Sequence, residues 1–257
     1  MRRQHSRTGF TSPTGSFGNP YLPTLPGQDD YAGDLRHVAH YRRPEAYAGK
    51  RVIVVGAGNS AVQVAYEIAA HARVTLATRE PVRFLPQRLS GRDLHHWLRV
   101  TGADRLPRRV LTRLVRHATV LDTGVYRDAL ASGLLQRRGM FTAFTPEGVI
   151  WADATPEPVD AVIFATGYRQ DLAYLQPLGA LDHGAPQQVG GISTTHPGLV
   201  YLGLEFQRSF ASNTLRGIGR DAAHVMTALA AHVSGRPHQG WQRKAGVASR
   251  TGSGAQR

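Results

Sequence analysis

The sequence predicts an α/β protein built on a parallel β-sheet. Residues 51–55 and 159–164 form two mainly apolar, β-branched runs without regular polar alternation, as in strands buried on both faces. A glycine-rich turn follows the first run directly, and apolar residues then recur at helical spacing over residues 62–69. A further strand pattern covers residues 73–78. This order of strand, helix and strand indicates a βαβ unit.

The turn between the first strand and the helix has the spacing Gly-x-Gly-x-x-Ala. The first glycine allows a tight turn, the second lets the backbone approach a pyrophosphate, and the small third residue lets the helix pack close to the sheet. The helix N-terminus adds N–H groups and a partial positive charge. Together these features predict a Rossmann-type dinucleotide site formed by Gly56, Ala57, Gly58, Asn59, Ser60 and Ala61.

The end of the second strand of this unit bears on the choice between NAD and NADP. An NAD site has an acidic residue about 20 residues beyond the glycines, which binds the ribose 2′-hydroxyl. Here the strand ends in Thr78 and Arg79, and an arginine suits a 2′-phosphate because its guanidinium donates paired, charge-assisted hydrogen bonds. We therefore predict NADP(H), with Thr78 and Arg79 at the ribose. In the alternative, Arg79 is a solvated surface residue and Glu80 faces the ribose.

Composition excludes several other kinds of chemistry. The 257-residue chain contains no cysteine, which removes disulfides, Cys-ligated metals, thiol nucleophiles and the reactive dithiol of disulfide reductases. No cluster of carboxylates accompanies the histidine pairs His37/His40 and His95/His96, so we predict no metal site. No apolar run reaches the about 20 residues that a membrane helix needs. We predict a cytoplasmic protein.

The net charge of +13 raises the question of nucleic acid binding. The excess positive charge lies at the two ends of the chain and in residues 99–138, whereas the nucleotide motifs lie in a nearly neutral remainder. No zinc-finger, RRM-type or helix-turn-helix signature accompanies the charge. We therefore predict no nucleic-acid partner.

Several further motifs resemble those of flavin-containing monooxygenases. Tyr31-x-Gly33-x-x-x-His37-x-x-x-Tyr41-Arg42 resembles the family fingerprint, with Tyr31 where phenylalanine is usual. Thr14-Gly15, and Thr166-Gly167-Tyr168 further along, resemble the two linker motifs. The segment 205–217 resembles the closing flavin-side segment of bacterial members. The resemblance extends over roughly residues 13–233, with the motifs in the family's order.

This resemblance implies an FAD domain interrupted by an NADPH domain. It implies that NADPH reduces the flavin and that a flavin hydroperoxide then transfers one oxygen atom from O2 to a small organic substrate. No catalytic side chain is implied. Among cofactor-binding residues, the resemblance implies support of the NADPH site by His37 and Tyr41. It implies junctions between the domains at Thr14, Gly15, Thr166, Gly167 and Tyr168. It also places Arg208, Ser212, Asn213 and Thr214 near the flavin, where the last helix points its N-terminus.

One departure from the family pattern shapes the predicted domains. The family carries an earlier Gly-x-Gly-x-x-Gly that opens the FAD domain, and this chain contains no other Gly-x-Gly-x-x-Gly with strand and helix flanks. We therefore expect a Rossmann-type NADPH domain inserted in the C-terminal remnant of a Rossmann-like FAD domain. The alternative function is a truncated, non-catalytic NADPH-binding remnant. The predicted divisions are a disordered tail at 1–12, linker and fingerprint at 13–44, the NADPH domain at 45–164, the FAD-domain part at 165–235 and a disordered tail at 236–257.

Overall fold

The computed structural model describes residues 8–13, 17–106 and 119–242. The strands in these ranges are β1 (Phe10–Ser12), β2 (Asn19–Pro20), β3 (Asp34–His37), β4 (Arg51–Val55), β5 (Arg73–Thr78), β6 (Arg83–Pro86), β7 (Arg88–Leu89), β8 (Arg92–Asp93), β9 (Thr119–Asp122), β10 (Gln136–Gly139), β11 (Ala143–Thr145), β12 (Gly148–Ile150), β13 (Pro156–Pro158), β14 (Ala161–Phe164), β15 (Tyr168–Arg169), β16 (Leu181–Asp182), β17 (Ala185–Pro186), β18 (Gln188–Val189), β19 (Ile192–Ser193) and β20 (Leu199–Tyr201). The α-helices are α1 (Asn59–Ala69), α2 (Leu94–Val100), α3 (Val125–Ala131), α4 (Ile218–Val233) and α5 (Gln239–Gln242). Short 3-10 helices cover Gln28–Asp30, Val38–His40, Pro44–Tyr47, Ala103–Arg105 and Ala173–Leu178.

The chain divides into two units, named here for their place along the sequence. The described part of the central unit comprises residues 20–101 and 119–168. The described part of the flanking unit comprises residues 8–13, 17–19, 102–106 and 169–242.

The central unit is built on a five-stranded parallel sheet in the order β10-β5-β4-β14-β3. Strand β4, helix α1 and strand β5 form the predicted βαβ unit. Alternate residues of β4 enter two different clusters: Val52 and Val54 pack with α1, and Ile53 and Val55 pack with side chains of β11 and β12. Both faces of β4 are therefore covered, which explains its continuous apolar sequence. The α/β class predicted from the sequence is confirmed.

The sheet extends further toward the N-terminus than the sequence indicated. Strand β3 (Asp34–His37) pairs in parallel with β14, with Asp34 opposite Ala161 and His37 opposite Phe164. These residues lie in the segment that the sequence assigned to linker and fingerprint. Because β3 is an edge strand, it needs no apolar run, and its polar sequence hides it from pattern analysis.

The flanking unit contains a four-stranded sheet in the order β1-β20-β19-β18. Helix α4 packs on β20 through a cluster of Val200, Val225 and Leu229. The structure differs here from the predicted disordered tails. Strand β1 pairs in parallel with β20, and α5 forms a short helix whose Trp241 packs against the same cluster. Strand pairing with β20 holds the first segment, and packing of Trp241 holds the second; a short polar sequence signals neither contact.

Two predicted helices also differ from the observed ones. The apolar spacing over residues 92–118 predicts a helix, but α2 covers only Leu94–Val100 and follows the short strand β8. Residues 107–118 lie outside the described ranges. The Asn/Thr start and the apolar face over residues 213–233 predict that the last helix begins at Asn213, whereas α4 begins at Ile218. Among the described residues, no helix is both long and apolar enough to cross a membrane.

Candidate functional site

The turn between β4 and α1 has a backbone that only glycine adopts easily at its first position. Gly56 has a φ of +141°, and a Cβ added there would lie 2.5 Å from the carbonyl oxygen of Ala165. The same Cβ would lie 3.2 Å from the Cβ of Ala61, which is fully buried. The small residues at both positions therefore let α1 start close to the sheet, as the sequence predicted.

The second glycine of the turn is required for a different reason. Gly58 is extended, with φ −91° and ψ −179°, and a Cβ added there would meet no atom within 4 Å. The fold itself does not need a glycine at this position. The N–H groups of the first turn of α1, at Asn59, Ser60 and Ala61, point out of the helix terminus beside it, and no side chain caps that terminus. The open space over Gly58 is therefore a place for an anionic group.

A cleft of about 520 Å³ opens beside this turn at the carboxyl edge of the sheet. Ligands of open α/β sheets bind at this edge. The sequence-predicted residues that line the cleft are Gly56, Ala57, Gly58, Arg79 and Thr166. Lining residues that sequence analysis missed include Tyr21, Pro23, Leu25 and Met140. The first three belong to the proline-rich stretch that the sequence assigned to a linker.

Strand β5 ends at the cleft with Thr78, followed by Arg79 and Glu80. Thr78 is buried, with 2% of its surface exposed, and its Oγ1 accepts a hydrogen bond of 3.1 Å from Nε of Arg137. Arg79 and Glu80 are exposed, and both line the cleft. This placement suits a cation for a 2′-phosphate, and Glu80 still stands beside the arginine as in the alternative assignment.

His37, a residue of the fingerprint, is the last residue of strand β3, and its ring is hydrogen-bonded within the fold. Only 1% of its surface is exposed, its Nδ1 accepts a hydrogen bond from the N–H of Ala39 (3.1 Å), and its Nε2 lies 2.9 Å from the carbonyl oxygen of Gly167. Since Nδ1 is an acceptor, Nε2 carries the proton of a neutral ring. Burial lowers the pKa of His37. The histidine therefore holds the turn at Gly167, and its ring packs edge-on against Tyr168 at 5.0 Å.

The turn after β14 is tied to the segment that precedes the sheet. Thr166 Oγ1 donates a hydrogen bond to the carbonyl oxygen of Tyr21, and the N–H of Tyr21 donates to the carbonyl oxygen of Gly167 (3.0 Å). Gly167 has a φ of +80°. These bonds shape one wall of the cleft. The predicted partner motif at Thr14 and Gly15 lies outside the described residues.

The remaining fingerprint residues position elements around the sheet. The Tyr31 hydroxyl donates to the carbonyl oxygen of Val159 (2.8 Å), and burial raises the pKa of Tyr31 to about 12. A Cβ at Gly33 would collide with the Tyr31 phenol. The Tyr41 hydroxyl donates to Oε2 of Glu67 on α1 (3.0 Å), and burial raises the pKa of Tyr41. The side chains of Tyr41 and His37 therefore bond to other residues of the central unit, and neither is among the residues that line the cleft.

The predicted flavin-side residues lie together in the flanking unit. Ser212 Oγ accepts hydrogen bonds from the N–H groups of Arg208 and Ser209, each 3.0 Å long. Thr214 Oγ1 donates to the carbonyl oxygen of Ala211 (2.7 Å), and Asn213 between them is half-buried. These bonds keep residues 212–214 in a turn, which is why α4 starts only at Ile218. Arg208 Nη1 forms an ion pair with the buried Asp221 at 3.3 Å.

A known family profile matches most of this chain. The profile, described as pyridine nucleotide-disulphide oxidoreductase, matches residues 11–203, which include the glycine turn and the whole central unit. The chain belongs to this oxidoreductase family. The family name refers to a disulphide, but this chain has no cysteine and lacks a dithiol of its own.

Several individual proteins that are similar to this chain are flavin monooxygenases. It is 31% identical over 199 residues to indole-3-pyruvate monooxygenase YUCCA1 of Oryza sativa subsp. japonica, covering 65% of this chain and 49% of the rice protein. It is 31% identical to flavin-containing monooxygenase 5 of Homo sapiens, covering 63% of this chain and 36% of the human protein. The solved flavin-containing monooxygenase from Stenotrophomonas maltophilia matches with a TM-score of 0.68 and 30% identity, over 87% of this chain and 62% of that one.

These matches confirm the predicted resemblance to flavin-containing monooxygenases. The chain spans about half the length of the rice relative. The open cradle over Gly58 and the uncapped start of α1 fit the pyrophosphate of a dinucleotide. In the flanking unit, no side chain caps the start of α4, and the N–H groups of Ile218, Arg220 and Asp221 there donate to backbone carbonyl oxygens of the preceding turn. The side chains of Arg208, Ser212 and Thr214 are also bonded within that unit. Among the described residues, no group of three or more His, Asp or Glu side chains could hold a metal ion.

Proposed function

We propose that the central unit binds NADPH and that the protein is an FAD- and NADPH-dependent monooxygenase, which inserts one oxygen atom from O2 into a small organic substrate in the cytoplasm. The observation that carries the proposal is the open backbone cradle at Gly58, next to a helix N-terminus and a cleft of about 520 Å³. The named relatives support the monooxygenase chemistry.

Each part of the cradle has its own role in holding NADPH. Gly56 gives the turn its shape, Gly58 leaves room for the pyrophosphate, and the first N–H groups of α1 donate to its oxygens. Arg79 supplies charge-assisted hydrogen bonds to the ribose 2′-phosphate. The apolar wall that includes Leu25 and Met140 excludes water from one side of the cleft.

The flavin part of the proposal rests on the relatives and on chain order. Apart from a short segment that includes residues 102–106, the flanking unit precedes and follows the central unit along the sequence, as expected when an NADPH domain is inserted in an FAD domain. Arg208, Ser212, Asn213 and Thr214 would lie near the flavin, with the start of α4 directed at it. When bound, FAD supplies the activation of O2 that no side chain provides.

The choice of cofactor is tested by replacing Arg79. We expect Arg79→Ala to raise the Kd for NADPH by about tenfold or more, the loss of a charge-assisted contact, and to leave the Kd for NADH within about twofold. Arg73→Ala is the matched control, because Arg73 is an exposed arginine at the opposite end of β5 and should leave both affinities unchanged. The Kd for each cofactor is measured by calorimetric titration. Equal losses for both cofactors would contradict the NADPH assignment.

Turnover separates the enzyme from an NADPH-binding protein without catalysis. The chain is mixed with FAD, NADPH and O2, and oxidation of NADPH is followed at its absorbance band. Indole-3-pyruvate, the substrate in the name of the rice relative, is the first probe substrate. Oxidation that needs FAD and yields an oxygenated product supports the monooxygenase. Tight NADPH binding without oxidation would favour the non-catalytic alternative.

A further inference from the structure

Strand pairing places the side chain of Arg137 beside Thr78, near the end of β5. Strand β10 pairs in parallel with β5, with Arg137 opposite Leu76 and Gly139 opposite Thr78. Parallel neighbours end at the same edge of a sheet, so β10 delivers its side chains to the edge where β5 ends. The Nε of Arg137 donates a hydrogen bond of 3.1 Å to Oγ1 of Thr78, the residue before Arg79.

The neighbouring arginine on the same strand serves a structural purpose. Successive residues of a strand point to opposite faces. Arg138 forms ion pairs with Asp153 (2.7 Å) and Glu157 (3.4 Å), and its guanidinium lies 4.4 Å from the ring centre of Trp151. Its charge is therefore neutralised within the fold.

Arg137 is used differently. Within the described ranges, no carboxylate forms an ion pair with its guanidinium, and its hydrogen bond is the one to the neutral hydroxyl of Thr78. An arginine has five N–H donors, so this bond fixes the orientation of the fork and leaves the Nη donors for another acceptor. The side chain is exposed, which allows a ligand to reach it.

We propose that Arg137 is a second cationic partner of the ribose 2′-phosphate and, with Arg79, determines specificity for NADPH. This inference rests on the proposed binding of NADPH in the central unit. A phosphate monoester carries up to two negative charges and three acceptor oxygens, more than one guanidinium satisfies. Thr78 is then a positioning residue, because its hydroxyl holds the Arg137 guanidinium at the edge of the sheet.

The inference is tested by binding measurements on Arg137→Gln, Arg137→Lys, Thr78→Val and the control Arg138→Gln. The probes are NADPH, NADH, and adenosine 2′-monophosphate against adenosine 5′-monophosphate. We expect Arg137→Gln to weaken NADPH and the 2′-monophosphate by about tenfold, with NADH and the 5′-monophosphate within about twofold. Arg137→Lys should lose less, since it keeps the charge but not the fork. Thr78→Val should lose severalfold for NADPH alone.

The control variant and the wild type distinguish a failure of the proposed role of Arg137 from a failure of the proposed NADPH binding. Arg138→Gln should leave the NADPH-to-NADH affinity ratio unchanged, because its guanidinium is already paired with Asp153 and Glu157. An unchanged ratio in Arg137→Gln, together with a lowered ratio in Arg79→Ala, would overturn the role of Arg137 and leave NADPH binding intact. A wild type that binds NADH as tightly as NADPH would overturn both. Preserved NADH affinity in each variant shows that the central unit is folded.

Discussion

The glycine turn of the central unit and residues 208–214 of the flanking unit were both predicted to contact a cofactor, but their polar groups are used in opposite ways. At Gly58 the backbone faces open space beside an uncapped helix start. In the flanking segment, Ser212 and Thr214 bond to the local backbone and Arg208 pairs with Asp221. A motif made of backbone groups leaves its donors available to a ligand, whereas a motif made of polar side chains can be consumed by its own turn.

A glycine motif and a serine or threonine motif therefore differ in how strongly they indicate a ligand. Glycine has no side chain that could take part in local bonding, so a glycine in relaxed extended geometry with empty space over it points to a ligand. Serine and threonine satisfy nearby backbone groups readily, and their presence in a turn indicates local structure as strongly as binding. The variants below test the contrast, from the largest expected effect to the smallest.

Adding one methyl group to each glycine of the turn should produce two different losses. Gly56→Ala forces a strained φ and a close contact with the Ala165 carbonyl, and we expect a loss of unfolding free energy of about 3 kcal/mol. Gly58→Ala should keep stability within about 0.5 kcal/mol. It should weaken NADPH binding by about tenfold or more, at least 1.4 kcal/mol, because the methyl occupies the phosphate space.

Thermal and denaturant unfolding, with NADPH titration, measure this pair. The two glycines are each other's control, since the chemical change is identical. Tight NADPH binding by a stable Gly58→Ala protein would remove the cradle as the binding site.

Ser212→Ala should give the reverse pattern in the flanking unit. Its hydroxyl accepts two backbone N–H groups in a buried turn, so its removal should cost about 1–3 kcal/mol of stability. The affinity of the central unit for NADPH should not change. Denaturant unfolding and cofactor titration together provide the check, with Ser90→Ala in an exposed loop as the control. Loss of FAD binding without loss of stability would instead assign Ser212 to the flavin.

His37 lies in the central unit, but its ring is buried and hydrogen-bonded within the fold, like the polar side chains of the flanking segment. Burial lowers its pKa below the ordinary value of about 6.5, so the unfolded chain takes up this proton more readily. Its contribution to stability is therefore present above about pH 6.5 and is lost as pH falls toward the lowered pKa. Acid would also break the bond from the Ala39 N–H, because a protonated Nδ1 no longer accepts.

We expect the unfolding free energy of the wild type to fall more steeply between pH 7 and pH 5 than that of His37→Gln. Denaturant unfolding at several pH values measures the two slopes. The difference isolates His37 from the other histidines of the chain. Identical slopes would show that this ring does not titrate with unfolding.

The predicted fold was right where the sequence signal was local. The run at residues 51–55, the glycine turn and the following helix are contiguous, and they formed β4, the cradle and α1 as expected. Strand β3 and strand β1 escaped notice because their order comes from pairing with β14 and β20, far along the chain. The start of α4 was misplaced because side-chain bonds of Ser212 and Thr214 hold the preceding residues in a turn.

By itself, the sequence determined the α/β class, the βαβ unit and the position of the glycine turn. Backbone geometry and short-range apolar spacing dictate these features, and both depend on residues that are close together in the sequence. Only the tertiary structure decided that Arg137 meets Thr78 across 59 positions and that His37 holds Gly167 across 130. Strand register makes these contacts, and register depends on the packing of the whole sheet rather than on any local pattern.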